Sequence, residues 1–167
     1  WGGGIYCRNS SPKLSYLIIS GNSAGAGGAV YINNKGDSLR APVLNNSVVT
    51  NNTSNGNAGG IYSYRSSTKI QNSIIHDNIA DQNGGGIYLS SSNPTLHNVL
   101  IDNNTINVEA QVAGGGGIFC NGSSPNITNT TISRNSVMGT PGYETYGGGI
   151  YLRSESNPHI SNVTIYD

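Results

Sequence analysis

The chain has 167 residues, a length typical of one domain, and its eight basic and eight acidic residues give a net charge of zero. Charged residues make up only 10% of the chain, whereas glycine alone contributes 24 residues. This composition provides neither the basic surface of a nucleic-acid-binding protein nor many groups for acid–base chemistry. No apolar run approaches the ~20 residues of a membrane-spanning helix, and two cysteines are too few for a disulfide framework.

A single pattern recurs six times along the chain. Each copy opens with a glycine-rich box that ends in an aliphatic residue followed by an aromatic one; the aliphatic residues are Ile5, Val30, Ile61, Ile87, Ile118 and Ile150. A polar turn comes next, and then a segment with two aliphatic residues, which are Leu14 and Ile19, Leu44 and Val49, Ile70 and Ile75, Leu96 and Ile101, Ile127 and Ile132, and Ile160 and Ile165. Both segments are short enough to be strands, and their glycine, asparagine and β-branched residues disfavour helices.

The length of the repeat predicts the fold. Successive aliphatic residues of the glycine box lie 25, 31, 26, 31 and 32 positions apart, and each interval holds about three short strands. Strand motifs at this period are typical of parallel β-helices, in which each repeat forms one coil. The variable coil length favours the right-handed form. We therefore predict an all-β, right-handed parallel β-helix, a solenoid of about six coils, that occupies residues 1–167 as a single segment without a separate cap domain.

Alternation along the strands assigns side chains to the interior or to the surface. In the first strand, Ile5 and Cys7 are expected to point inwards and Tyr6 outwards. Cys120 occupies the same repeat position as Cys7 four coils later, about 19 Å away at ~4.8 Å per coil, so the two cannot form a disulfide. The interior is therefore predicted to consist of aliphatic stacks along the helix axis, with both cysteines as buried free thiols.

Asparagines recur at two positions of the coil and predict ladders of stacked amides. The first Asn column follows the second aliphatic residue and comprises Asn22, Asn52, Asn78, Asn104 and Asn135. The second Asn column lies between the two aliphatic residues and comprises Asn46, Asn72, Asn98, Asn129 and Asn162, with Tyr16 in its place in the first coil. Each amide is expected to bond its neighbour and the turn backbone, so we predict a structural role for both columns.

Two columns of apolar side chains are predicted to face outwards. The aromatic column follows the inward residue of the glycine box and comprises Tyr6, Tyr31, Tyr62, Tyr88, Phe119 and Tyr151. Its rings are expected to stack along the sheet, and an alternative role is a platform for sugar rings. The aliphatic column comprises Ile18, Val48, Ile74 and Leu100. An exposed apolar stripe of this kind indicates a partner or a covering segment.

The glycine box resembles the repeats of a known family. Gly27, Gly28, Ala29 and Val30, together with the Ile/Val-x-x-Asn segments, are similar to the Gly-Gly-Ala-aliphatic and Phe-x-x-Asn boxes of polymorphic outer-membrane proteins. The resemblance covers nearly the whole chain, although most boxes here read Gly-Gly-Gly-Ile and no phenylalanine precedes the asparagine. It implies a β-helical region that is exported to the cell surface and linked to adhesion.

A cluster of charged side chains is the one candidate catalytic site. The outward positions after the second aliphatic residue place His76, Asp77, Asp102 and Arg134 within three consecutive coils. β-Helix proteins include polysaccharide lyases and hydrolases, which need clustered carboxylates or carboxylates with a cation. The alternative is a solvated ion-pair patch that contributes little energy. The cluster contains neither a second carboxylate pair at the separation of a hydrolase nor a calcium-repeat motif, which favours the ion-pair patch.

These patterns predict a non-catalytic extracellular or cell-surface scaffold, used for adhesion or for self-assembly into a fibre by end-to-end stacking. The alternative function is a fragment of a carbohydrate-active or carbohydrate-binding β-helix protein. We expect no cofactor, no metal, no nucleic acid and no membrane span. The sequence begins and ends within a repeat, at 1–5 and at 162–167. The expected partners are therefore other copies of the chain or the rest of a longer β-helix, with surface carbohydrate as a further candidate.

Two long connections, 105–116 and 136–148, are predicted to leave the same side of the helix and to pack beside each other. Their apolar residues are Val108, Val112, Val137, Met138, Tyr143 and Tyr146.

Overall fold

The computed structural model describes residues 1–35, 40–107, 112–139, 142 and 144–167. Within these ranges the chain forms 23 short β-strands and no helix. The first twelve strands are β1 (Ile5–Arg8), β2 (Lys13–Ser15), β3 (Ile18–Ser20), β4 (Ser23–Ala24), β5 (Val30–Asn33), β6 (Val43–Asn45), β7 (Val48–Thr50), β8 (Thr53–Ser54), β9 (Ile61–Tyr64), β10 (Lys69–His76), β11 (Ile79–Ala80) and β12 (Ile87–Ser90). The others are β13 (Thr95–Asp102), β14 (Thr105–Asn107), β15 (Val112–Gly114), β16 (Ile118–Asn121), β17 (Asn126–Thr128), β18 (Thr131–Ser133), β19 (Ser136–Met138), β20 (Glu144–Tyr146), β21 (Ile150–Arg153), β22 (His159–Ser161) and β23 (Thr164–Tyr166).

The strands pair in parallel and form three long sheets along the helix axis, and β15 and β20 form a fourth sheet of two strands. The first sheet stacks the six glycine-box strands in the order β1-β5-β9-β12-β16-β21, so it spans five complete turns. The second sheet has ten strands around the path β2-β6-β10-β13-β17-β22, and the third has the order β19-β14-β11-β8-β4. This topology is the predicted all-β parallel solenoid, since the first five coils contribute one strand or strand pair to each of these sheets and the last coil contributes to the first two.

The register of the sheets places equivalent repeat positions above one another, as predicted. Val30 pairs with Ile5 on one side and with Ile61 on the other, and Ile75 pairs with Val49 and Ile101. The aliphatic residues that the alternation assigned to the interior are buried; the largest fully buried side chains are Ile61, Ile70, Ile75, Ile87, Leu89, Leu96, Ile101, Ile106, Ile118, Ile127, Ile132 and Val30.

The last coil differs from the others in exposure. Leu152, Ile160 and Ile165 occupy interior positions, yet they are 41%, 41% and 53% exposed. Their strands each pair on one side only, so no neighbouring coil covers them. The interior apolar stack therefore reaches the surface at this end of the structure.

Both cysteines are buried and unpaired, which confirms the prediction of free thiols. Their separation follows from the register, in which Cys7 pairs with Ile32 while Cys120 pairs with Leu89 and Leu152 in coils further along the axis. Burial raises the pKa of the Cys120 thiol to about 12.

The two long connections lie beside each other, as predicted. Within them β14 pairs with β19 and β15 pairs with β20. Val112 and Tyr146 lie at the surface, and their strands are part of this pairing. Val108 and Tyr143, which the sequence analysis also assigned to these connections, lie outside the described residues.

Candidate functional site

The predicted charged cluster is assembled on the outer side of the second sheet. His76 and Asp102 end their strands and are register partners in adjacent coils, and Ser133 is the next partner of Asp102. Asp77 and Arg134 follow in turns with φ values of 54° and 51°, a left-handed geometry that non-glycine residues adopt mainly in tight turns. The structure therefore brings all four predicted residues together on three consecutive coils.

Asp102 is the buried member of the cluster, with a side chain that is 10% exposed. Ser133 Oγ donates a hydrogen bond to Asp102 Oδ1 at 2.7 Å, and Arg134 Nε donates to the same oxygen at 2.9 Å. A second guanidinium nitrogen of Arg134 binds Asp102 Oδ2. The hydrogen bonds from Arg134 lower the pKa of Asp102 and outweigh burial, which alone would raise it. Asp102 is therefore an ionised carboxylate with both oxygens engaged, so it cannot act as a proton donor near neutral pH.

His76 and Asp77 form the exposed half of the cluster. His76 Nδ1 lies 2.6 Å from Asp77 Oδ2, and Asn103 Nδ2 donates to Asp77 Oδ1 at 2.6 Å. Thr50, in the preceding coil, has its Oγ1 atom 3.4 Å from His76 Nδ1. The cluster thus provides one half-buried imidazole held by a carboxylate, beside a second carboxylate that Arg134 neutralises.

The aromatic column stacks along the first sheet, but most of its rings are not an open surface. Ring centroids of Tyr31 and Tyr62 lie 4.6 Å apart, and those of Tyr88 and Phe119 lie 5.0 Å apart. Because each ring covers the next, Tyr31, Tyr88 and Phe119 are only 9%, 8% and 2% exposed. The expectation of an outward-facing platform is therefore wrong for the middle of the column. Tyr62 and Tyr151 are half-buried, and Tyr6 at the end is 45% exposed.

The aliphatic column lies at the surface along the second sheet. Ile18 is 78% exposed and Ile74 is 39% exposed, whereas Val48 and Leu100 are half-buried. Register pairing aligns the four residues across consecutive coils. The stripe predicted from the sequence is thus present.

The first Asn column forms the predicted ladder. Asn52 Nδ2 donates to Asn78 Oδ1 at 2.9 Å, and Asn78 Nδ2 donates to Asn104 Oδ1 at the same distance. The ladder continues outwards to Asn22 at 3.0 Å and to Asn135 at 2.9 Å. The three central asparagines are fully buried. Their Nδ2 groups also donate to backbone carbonyls of the same and the preceding coil.

The second Asn column is an exposed column of left-handed backbone positions rather than a continuous ladder. All five of its asparagines have positive φ values, from 48° to 54°, and Tyr16 adopts the same geometry at 59°. Asn98 donates to Asn72 at 2.9 Å, but Asn72 donates to Asn45 rather than to Asn46. Exposure to solvent explains the difference, since these amides do not need a neighbouring amide to satisfy them. The left-handed backbone, which asparagine tolerates, is the shared requirement.

Serine ladders were missed by the sequence analysis. In the turn after the first sheet, the backbone N–H of Ser66 donates to Ser92 Oγ at 3.1 Å, and that of Ser92 donates to Ser123 Oγ at 3.0 Å. Ser47 and Ser73 repeat this arrangement beside the second Asn column. The signal was the recurrence of Ser within the polar turns, which is hard to distinguish from ordinary turn composition.

A surface cleft beside the first two coils was also missed. It has a volume of about 560 Å³ and is lined by Trp1, Tyr6, Arg8, Asn9, Asn33 and Lys35. It could not be predicted from the repeat, because apart from Tyr6 its lining residues lie outside the positions that form columns.

The described residues contain neither a metal-binding cluster nor a helix that could span a membrane. Across the ranges given above, no group of three or more His, Cys, Asp or Glu side chains is placed to hold a metal ion. In the same part of the chain, no helix has the length and apolar character needed to cross a membrane.

Comparison with known proteins identifies the fold family. A family model described as a right-handed β-helix region matches residues 59–167, well over half of the chain. Comparisons with curated proteins and with solved structures gave no match. The parallel sheets, the coil register and the family model agree with one another and confirm the predicted handedness. The chain belongs to the right-handed β-helix family.

Proposed function

We propose that the chain is a non-catalytic scaffold of an extracellular or cell-surface protein, used for adhesion or self-assembly. The observation that carries this proposal is that Asp102 is an ionised carboxylate engaged in an ion pair. Both of its oxygens are occupied by Arg134 and Ser133, and its pKa is lowered. Polysaccharide hydrolysis needs a protonated carboxyl group beside a free carboxylate or base, whereas Asp102 is held as an ion-pair partner that joins adjacent coils.

The interior polar groups support the same function. Asn52, Asn78 and Asn104 are fully buried, and their amides link each coil to the next. Stacked amides, aliphatic side chains and aromatic rings along one axis favour a stiff rod. Such a rod suits the display of surface features over a long distance. The resemblance of the glycine boxes to surface-exported repeats favours the extracellular or cell-surface location.

The aliphatic column supports assembly through lateral contacts. Ile74 is 39% exposed, and register pairing aligns it with Val48 and Leu100 along the second sheet. An exposed apolar stripe of this kind is typical of a surface that another segment or protein covers. The proposed partner is another copy of the chain or the rest of a longer β-helix, joined by end-to-end stacking with lateral contacts from the aliphatic column.

A first experiment tests the absence of catalysis. The purified chain is incubated with a panel of neutral and acidic polysaccharides, and new reducing ends and unsaturated products are measured. We expect no turnover. Turnover that disappears in Asp102→Asn and His76→Ala but persists in the matched control His97→Ala would overturn the proposal. His97 is an exposed histidine of the same sheet, bonded to Thr128 and outside the cluster.

A second experiment tests assembly by sedimentation velocity over a wide concentration range. We expect the chains to associate, and we expect Ile165→Lys to weaken this association because a charge at the exposed end disfavours stacking. If the contact is end to end, Ile74→Lys should weaken the association less. A fibre should show an axial repeat of roughly 29 Å, from six coils at ~4.8 Å each. A chain that stays monomeric at high concentration would exclude self-assembly.

One observation favours the alternative function, a carbohydrate-active fragment. The exposed His76–Asp77 pair has the arrangement of an oriented base, and it lies beside Asp102. The polysaccharide panel with the three variants distinguishes this function from the scaffold.

A further inference from the structure

We infer that a ridge of basic side chains on the first three coils binds the surface of a membrane that contains anionic phospholipids. The inference rests on the proposed function, because a scaffold used for adhesion at a cell surface needs a surface to which it attaches. The basic ridge lies at the turn between the first and second sheets and is distinct from the charged cluster and the aliphatic column. Its exposed cations are Arg8, Lys13, Lys35, Arg65 and Lys69.

The net charge of zero conceals an uneven distribution of charge along the chain. Residues 1–76 contain six basic residues and one acidic residue, which gives this part a net charge of +5 with neutral histidines. Residues 77–167 contain two basic residues and seven acidic residues, which gives −5. An asymmetry of this kind between two parts of a chain indicates an interaction with a membrane or a nucleic acid. Because the coils follow one another along the axis, the basic coils are also separated from the acidic coils in space.

The cations lie on both sides of the turn that joins the first two sheets. On the side of the first sheet, Arg8 ends β1 and Arg65 directly follows β9. On the side of the second sheet, Lys13 and Lys69 begin β2 and β10, and both are register partners of Val43. Two coils separate Lys13 from Lys69, so their Cα atoms lie about 10 Å apart at ~4.8 Å per coil. The basic ridge is therefore a compact surface on the side of the rod.

The charge of the basic ridge is not neutralised by any carboxylate that the structure describes. Both ion pairs between described residues belong to the charged cluster. Asp37, the single acidic residue among residues 1–76, lies outside the described residues. Arg65 packs over the ring of Tyr64, 5.3 Å from its centroid, and is exposed. Arg40, the sixth basic residue of this part, is half-buried and is not counted in the ridge.

The positions of the cations favour a fluid surface over a ligand with a fixed spacing of charges. Arg8 is the last residue of its strand, Arg65 is the first residue after its strand, and Lys35 is the second residue after its strand. A polymer with regularly spaced charges, such as an extended acidic peptide, is matched best by cations at one repeat position in successive coils. The cations of the basic ridge occupy different repeat positions instead. Lipid headgroups diffuse within a leaflet, so they adjust to an irregular arrangement.

The extent and composition of the basic ridge disfavour a nucleic acid. Nucleic-acid-binding proteins neutralise several phosphates along an extended basic surface, whereas this ridge spans three coils, about 10 Å. Single strands also stack their bases on exposed aromatic rings. The ring within the ridge, Tyr64, is half-buried and lies under the guanidinium group of Arg65. Long, flexible cations without a stacking platform suit an anionic leaflet, which attracts each Lys or Arg near its surface.

The acidic part of the chain gives the attached rod a direction. An anionic leaflet attracts the basic ridge and repels residues 77–167, which have a net charge of −5. The first three coils should therefore contact the membrane, while the later coils stay further from it. Trp1, the only tryptophan of the chain, lines a cleft with Arg8 and Lys35 of the ridge. Its fluorescence therefore reports which part of the rod approaches the lipid.

Co-sedimentation of the whole chain with lipid vesicles tests the inference. One set of vesicles consists of phosphatidylcholine, and the other contains one-third phosphatidylglycerol. We expect the chain to bind the anionic vesicles at least about tenfold more tightly than the neutral ones, with an affinity that falls as salt is added. A dansyl-labelled lipid in the anionic vesicles should accept energy from Trp1, because the coils that carry the basic ridge face the leaflet.

Variants locate the contact. The double variant Lys13→Gln/Lys69→Gln should weaken binding to anionic vesicles by about 25-fold, from about fivefold for each cation near the leaflet. The matched control is Arg153→Glu, which changes the net charge of the chain by the same amount. Arg153 is exposed in the last coil, about 14 Å along the axis from Lys69 at ~4.8 Å per coil. This distance exceeds the Debye length of about 8 Å at physiological salt, so the control should change binding by less than about twofold. All of these are surface changes, and circular dichroism verifies the fold.

Several results would overturn the inference. They are equal binding to neutral and anionic vesicles, equal losses in the double variant and in Arg153→Glu, and displacement from the vesicles by a polyglutamate peptide or an oligothymidylate as effectively as by an equal concentration of anionic lipid. Such failures would leave the scaffold function intact, because self-association and polysaccharide turnover are measured without lipid. Conversely, turnover of a polysaccharide would contradict the scaffold function without changing the result with vesicles.

Discussion

Replacing Asn78 with alanine removes the centre of the first Asn column, and its cost can be worked out from the contacts. The side-chain Nδ2 donates to the carbonyls of Val49 and His76 and to Asn104 Oδ1, at 3.0, 2.9 and 2.9 Å. The side-chain Oδ1 accepts from the backbone N–H and the Nδ2 of Asn52, at 3.1 and 2.9 Å. The Nδ2 group has two hydrogens, so two of its three acceptors share one of them, and the substitution deletes about four hydrogen bonds at a site with no exposure to solvent.

Each of these bonds contributes about 1 kcal/mol net, so about four bonds give a loss of about 4 kcal/mol in the free energy of unfolding. The loss is large because water cannot reach the groups left behind. The backbone N–H of Asn52 and the carbonyl of Val49 would lose a buried partner. A loss of this size approaches the total stability of many domains, about 5–15 kcal/mol.

Urea unfolding followed by circular dichroism measures this loss, and Asn98→Gly is the matched control. Asn98 belongs to the second Asn column, is exposed, and donates one side-chain bond, to Asn72. Glycine accepts its left-handed φ of 54°, so the control should cost less than about 1 kcal/mol. If Asn78→Ala costs no more than Asn98→Gly, the buried amide ladder does not stabilise the coils as we argue.

Three other predictions follow from single contacts. Asp102→Asn should lower the free energy of unfolding by about 1 kcal/mol at pH 7. Because Arg134 lowers the folded-state pKa of Asp102, the wild type should lose this advantage as the pH falls below about 4, towards the folded-state pKa. Urea titrations at several pH values measure both effects. The Cys120 thiol, buried and with a pKa raised to about 12, should react with a thiol reagent at pH 8 only after unfolding. Gly59→Ala should lower the free energy of unfolding by about 3 kcal/mol or more, since its Cβ would lie 2.4 Å from Ile79 O. Gly25→Ala is the matched control, because the space around its Cβ is open, and thermal unfolding should show it to be neutral or slightly stabilising.

Most of the fold could be predicted from the sequence, because one coil repeats six times. A side chain such as Ile75 has the same environment as its register partners Val49 and Ile101, so the pattern of each coil reinforces the next. The cluster of His76, Asp77, Asp102 and Arg134 could be predicted for the same reason. In a solenoid, the repeat position of a residue gives its place on the surface.

Features that depend on more than repeat position could not be predicted. The burial of Phe119 follows from rings in adjacent coils that cover each other, and alternation assigns a side chain to a face without giving its exposure. The hydrogen bonds of Asp102 with Arg134 and Ser133 depend on side-chain rotamers. The cleft at Trp1 depends on residues outside the repeat pattern, including Lys35 after β5.

The glycine box and the first Asn column were recognised as separate signals in the sequence, but they meet in the structure. A Cβ on Gly86 would lie 3.0 Å from Asn104 Nδ2, and one on Gly117 would lie 3.0 Å from Asn135 Nδ2. The preceding glycine of the box, such as Gly85, would place its Cβ 2.5 Å from the carbonyl oxygen of the box in the next coil. None of these three glycines has a positive φ, in contrast to Gly84 and Gly115 at the start of their boxes, so the absence of a side chain is what matters. Glycine occupies this position in every coil except the second, where Ala29 stands, so the backbone of the box packs closely against the amide ladder and the two halves of the repeat form one packing unit.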